Sequence, residues 1–152
     1  MLPHTCTIFL GSFAILVLFA VSAFAANHHQ LNGTWNLVPA ESEFGGEPAI
    51  QTGSVTINDR EHNITVTRSF SYDSADQSLS YSFSTDGREN ATIREGKSFK
   101  SKAKWDGDVL KVTTTADNVT TVEHFTLGAD GAMRLMVQRG DHHARTLVFH
   151  RQ

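Results

Sequence analysis

Asn63-Ile64-Thr65-Val66-Thr67-Arg68-Ser69-Phe70-Ser71-Tyr72 is the stretch that decides the fold class. Ile64, Val66, Phe70 and Tyr72 occupy every second position, against Thr65, Thr67, Ser69 and Ser71 between them. Only an extended strand, whose side chains alternate between two faces, sorts such a sequence into one apolar and one polar side. Arg68 shares the parity of the apolar set, so a regular strand turns its guanidinium inward. An inward cation needs an acidic partner or an anionic ligand.

The same alternation continues outward in both directions. Leu79, Tyr81 and Phe83 alternate with Ser78, Ser80, Ser82 and Ser84, and Phe99, Ala103 and Trp105 alternate with Lys100, Lys102 and Lys104. Shorter segments of this kind cover Thr34–Val38, Ser54–Asn58 and Ala144–Arg151. Asp86-Gly87, Asp106-Gly107 and Asp130-Gly131 supply turn chemistry, and Glu95-Gly96 and Gly140-Asp141 mark two more turns. The chain is predicted to be all-β, an antiparallel up-and-down barrel of eight to ten strands. A two-sheet sandwich uses the same signals. Closing the meander removes the sheet edges that promote aggregation. Pro39–Phe44 offers at most one helical turn.

Residues 1–25 differ from the rest. Ile8–Val21 is apolar apart from Gly11 and Ser12, no Asp, Glu, Lys or Arg precedes Glu41, and Ala23-Phe24-Ala25 gives a small-x-small cleavage pattern. This reads as a signal peptide, with the barrel domain over residues 26–152 and a periplasmic or extracellular destination. The apolar run is short for a bilayer-spanning helix, and no stable membrane insertion is expected after cleavage. The one cysteine, Cys6, lies within the signal, so no disulfide framework is expected. A net charge of −3 argues against a nucleic-acid partner.

The start of the domain, Leu31-Asn32-Gly33-Thr34-Trp35-Asn36-Leu37-Val38, resembles the Gly-x-Trp opening strand of the calycins, the lipocalins and fatty-acid-binding proteins. Ser42-Glu43-Phe44 and Lys104-Trp105-Asp106-Gly107-Asp108 add to this likeness. Small exported bacterial lipocalin-like proteins open with a similar Gly-Thr-Trp-x-Leu segment. The resemblance implies a lipocalin-like barrel in which Trp35 packs beneath a basic side chain of the last strand, Arg151 or else Arg145. A guanidinium over an indole stabilises by about 0.5–2 kcal/mol. Fatty-acid-binding proteins carry an Arg-x-Tyr pair near the C-terminus that grips the ligand carboxylate; Leu147 and Phe149 stand at those positions here. Their helical lid finds no room either, since about fifteen residues separate the first two strands.

The expected function is a non-enzymatic carrier or scavenger of a small apolar molecule. Its candidate contacts are Arg68, Phe70, Tyr72, Tyr81, Phe83 and Phe99. No Gly-x-Ser-x-Gly, His-Glu-x-x-His, Walker or dinucleotide signature is present. Glu123-His124 would face opposite sides of a strand and makes a poor dyad. His28 and His29 are candidate metal ligands. Cleavage after Ala25 or Ala26 places a histidine third from the new amino terminus, a pattern that wraps Cu(II) or Ni(II) in a square plane. No other cofactor is expected. His142-His143 reads as a solvated loop pair, and Lys97, Lys100, Lys102 and Lys104 as a solvated exterior. Asn32, Asn63, Asn90 and Asn118 open glycosylation sequons whose use depends on the organism. The alternatives are a periplasmic or extracellular Cu(II)/Ni(II)-binding protein, or a filled barrel acting through its surface as an envelope or inhibitor protein.

Overall fold

The computed structural model describes residues 28–94 and 96–152. Residues 1–25, with Cys6 and the expected cleavage site, lie outside the described residues. The chain forms ten antiparallel strands: β1 (Gly33–Leu37), β2 (Thr52–Arg60), β3 (Asn63–Ser71), β4 (Asp76–Ser84), β5 (Asp86–Arg94), β6 (Lys97–Asp106), β7 (Val109–Ala116), β8 (Val119–Leu127), β9 (Met133–Arg139) and β10 (Arg145–Arg151). Short 3-10 turns cover His28–Leu31 and Pro39–Glu41. The strands form one sheet in the order β4-β3-β2-β1-β10-β9-β8-β7-β6-β5, with β1 joined to β10 through Trp35 opposite Arg151. The architecture is an up-and-down barrel, not a sandwich.

Closure is incomplete, which corrects the expectation of an edge-free wall. No ladder joins β4 to β5 among the described residues. The cause lies at Asp86-Gly87. Instead of a hairpin, it forms an irregularity at the start of β5, where the register with β6 shifts between Asp86 and Glu89 and Gly87 has φ +78°. Thr85 donates its backbone N–H to His62 O at 2.8 Å, pinning the corner to the β2–β3 turn. The β5 strand therefore leaves β4 and pairs only with β6. A turn outside the expected set, Asp117-Asn118, links β7 to β8 with both residues at positive φ, 50° and 64°. Short polar side chains tolerate that region better than most.

Inward positions fill one half of the barrel. Trp35, Val55, Ile57, Ile64, Val66, Leu110, Val112, Phe125, Met133, Leu135, Leu147 and Phe149 are all buried there. At this closed end the Trp35 indole N–H donates to Leu31 O at 2.8 Å. The Arg151 guanidinium lies 4.2 Å from the Trp35 ring centroid, while its Nη1 and Nη2 donate to Asn32 O and Gln30 O at 2.6 and 2.7 Å. Gly33 has φ +124°, and a Cβ there would sit 2.7 Å from Arg151 Nη1. The Gly-x-Trp sequence thus leaves room for the cation that covers the tryptophan. His28 adds to this plug, its ring stacked on Trp105 at 4.2 Å and 4°.

Candidate functional site

The other half of the barrel is hollow, a cavity of about 810 Å³ open at its rim. Its existence shows in two apolar side chains that point inward yet remain exposed: Leu79 on β4 at 47 % and Val119 on β8 at 38 %. Buried cores do not leave such side chains uncovered. The wall mixes them with Phe83, Phe99 and Val137, and with hydroxyls from Ser101, Thr114 and Thr121.

Arg68 from β3 and Glu123 from β8 meet at the boundary between the hollow and filled halves. Arg68 Nη2 lies 2.7 Å from Glu123 Oε1, with the two side chains only 11 % and 9 % exposed. The Tyr81 hydroxyl donates to Glu123 Oε2 at 3.4 Å. The guanidinium carbon sits 5.1 Å from the Tyr81 ring centroid and 5.7 Å from that of Phe125, so π faces add to the cation's surroundings. Burial alone would ease the proton off Arg68, but Glu123 and the Tyr81 hydroxyl outweigh it and hold the guanidinium above its ordinary pKa. Arg68 is therefore a permanent charge compensated by an acid across the barrel. Its Nε, buried, has no hydrogen-bond partner among the described residues.

Glu123 was not among the expected site residues. Its inward parity with Phe125 carried the signal, since the inward Arg68 required an acid somewhere on the facing wall. Its neighbour His124 faces outward, across the strand from Lys111.

Arg68, Tyr72, Tyr81, Phe83 and Phe99 all line the cavity, but Phe70 does not. Gly53 lies opposite Phe70 in the β2–β3 register and has no side chain, so the ring folds over it; a Cβ on Gly53 would come 2.5 Å from Phe70 Cδ1. The ring then stacks on Phe149 at 6.4 Å and joins the filled half. Leu147 and Phe149 are themselves buried. His28 and His29 sit at the opposite, closed end, where His29 Nδ1 is 3.5 Å from Asn32 Nδ2. Among the described residues no three His, Cys, Asp or Glu side chains group as metal ligands. Lys100, Lys102 and Lys104 are exposed on the outer wall. At the rim, His142 Nδ1 pairs with Glu47 Oε1 at 2.9 Å.

No protein-family profile and no curated protein sequence matches the chain. Solved structures do match. The REP1-NXSQ fatty acid transporter superposes with a TM-score of 0.62 at 19 % identity, covering 80 % of this chain and 96 % of that one. A Schistosoma mansoni fatty acid binding protein in complex with arachidonic acid gives 0.60 at 20 % identity, covering 81 % and 96 %. The fluorescent protein UnaG gives 0.61 at 19 % identity, covering 82 % and 98 %. At these identities the likeness is one of fold, and the barrel is calycin-like.

Proposed function

We propose that this chain is an exported, non-enzymatic carrier or scavenger that holds one small, largely apolar molecule in the open half of its barrel. One observation carries the reading: Leu79 and Val119 point inward yet stay exposed, so the cavity presents apolar surface that a ligand would cover. The volume of about 810 Å³ falls in the range of small-molecule sites. Structures of the same fold include a fatty acid transporter and a protein holding arachidonic acid, although fold by itself does not assign function. The non-enzymatic part rests on Glu123, the acid at the cavity floor, being held by Arg68 and Tyr81. Export rests on the signal-peptide reading of residues 1–25.

The test is native mass spectrometry of the mature protein purified without denaturant, followed by organic extraction and binding of the neutral probe Nile red. A bound mass or saturable probe binding, lost when Val119→Trp fills the cavity, is the expected result. A clean apo mass, no probe binding and no thermal shift with lipids, haem or retinoids would remove the carrier reading. Export is tested separately, by the amino-terminal sequence of the secreted chain.

A further inference from the structure

The rim of the cavity holds two arginines with no partner. Inward positions on β9 run Met133, Leu135, Val137 and then Arg139; those on β10 run from Phe149 through Leu147 to Arg145. Arg145 lies opposite Val137, and Arg139 opposite Thr121 of β8. Both arginines therefore end the inner faces of neighbouring strands, and both line the cavity. Among the described residues neither side chain makes an ion pair or a hydrogen bond. Of the other ionisable groups near the rim, Lys97 pairs with Asp117 at 3.4 Å, and Glu47 Oε1 meets the His142 ring at 2.9 Å. Deeper in, Arg68 is matched by Glu123. The cations that line the cavity with no acid against them among the described residues are thus Arg139 and Arg145, on a chain whose net charge is −3.

Arg145 lies opposite Val137, two residues from Arg139, so the two cations are diagonal neighbours on adjacent strands, and an anion reached by both would take charge-assisted hydrogen bonds from each. The floor offers an anion nothing comparable. Its guanidinium is already neutralised, and Leu147 and Phe149 are apolar.

We infer that Arg139 and Arg145 form an anion site at the rim, where the acidic head of an amphiphile stays while its apolar body enters the cavity. This rests on the carrier reading and adds a head site, a charge preference and an orientation. A carboxylate is a head that the planar guanidinium fork meets with two parallel hydrogen bonds.

Displacement of Nile red by dodecanoate, dodecanol and dodecyltrimethylammonium tests it. Dodecanoate is expected to bind about tenfold more tightly than dodecanol, from two partly exposed charge contacts, with the cation weakest. That preference shrinks in high salt. It disappears in Arg139→Gln/Arg145→Gln and survives in the outer-wall control Lys102→Gln/Lys104→Gln. Orientation has its own readout, because both tryptophans, Trp35 and Trp105, belong to the closed half. Bromine at the chain end of 12-bromododecanoate should quench tryptophan emission more than bromine beside the head in 2-bromododecanoate. Equal binding of acid and alcohol, a preference that outlives the double rim variant, or stronger quenching by the 2-bromo isomer overturns the rim site while leaving the carrier standing. Failure of every probe to bind overturns both.

Discussion

Replacing Glu123 with Gln tests whether the ion pair across the barrel is compensated as its geometry indicates. The amide keeps the shape of the carboxylate but removes the charge facing Arg68, whose guanidinium stays protonated throughout the accessible pH range. Breaking a buried pair by removing one partner costs about 3–5 kcal/mol. Here the cavity lets solvent reach one side, and the Tyr81 and Phe125 faces at 5.1 and 5.7 Å remain. The lower end applies, about 3 kcal/mol, or about 10 °C in Tm for a domain of this size. Arg68→Met/Glu123→Leu removes both charges and fills their space with apolar atoms, and should return to within about 1 kcal/mol of the parent. Urea unfolding of the parent, the single variants Arg68→Met and Glu123→Leu, and the double variant then gives a coupling energy of at least about 2 kcal/mol, with the slope m unchanged. A Glu123→Gln midpoint within 1 kcal/mol of the parent, or a double variant no more stable than the singles, would refute the account.

Gly33→Ala should lower stability by about 1–3 kcal/mol, because the backbone is left-handed there and the new methyl meets Arg151; urea midpoints and Trp35 emission report it. Asp130 accepts hydrogen bonds from Arg134 and from Ala132 N–H, which hold its carboxyl far below the usual range. A lowered folded pKa stabilises above the ordinary carboxylate pKa and is lost as pH falls through the folded value. Asp130→Asn should therefore melt below the parent at pH 7, with the gap narrowing below about pH 4; a gap constant down to pH 2 would contradict this. For a chain beginning at Ala26, one equivalent of Cu(II) should give a visible d–d band and quench Trp105, against which the third-residue imidazole, His28, is stacked. Absence of the band would exclude the amino-terminal copper site.

The alternation that placed Arg68 on the inner face was readable directly, because parity survives any detail of how the sheet curls. Its partner was harder to find. Which inward acid on the far wall comes within reach depends on strand tilt, and local pattern holds no record of that. Phe70 shows a second limit, since its parity is right but its rotamer is set by a glycine opposite it on another strand. Asp86-Gly87 has the same dipeptide whether it makes a hairpin or breaks a register. Arg139 and Arg145 were within reach of the parity argument. Counting two residues beyond Val137, or two before Leu147, places both on the inner face, but local pattern does not show that the fold leaves them without an acid.

The seam between β4 and β5 has a consequence for how the molecule breathes. Along it two strands keep one margin of amides without a ladder partner, so hydrogen exchange should be fastest there and slowest around Trp35, where β1 and β10 clasp each other. Such margins invite copying by a neighbouring chain, and on β5 Asp86, Arg88 and Glu89 set charge against that. The sheet behaves as a ribbon rolled nearly shut, whose free borders yield first when it is stressed.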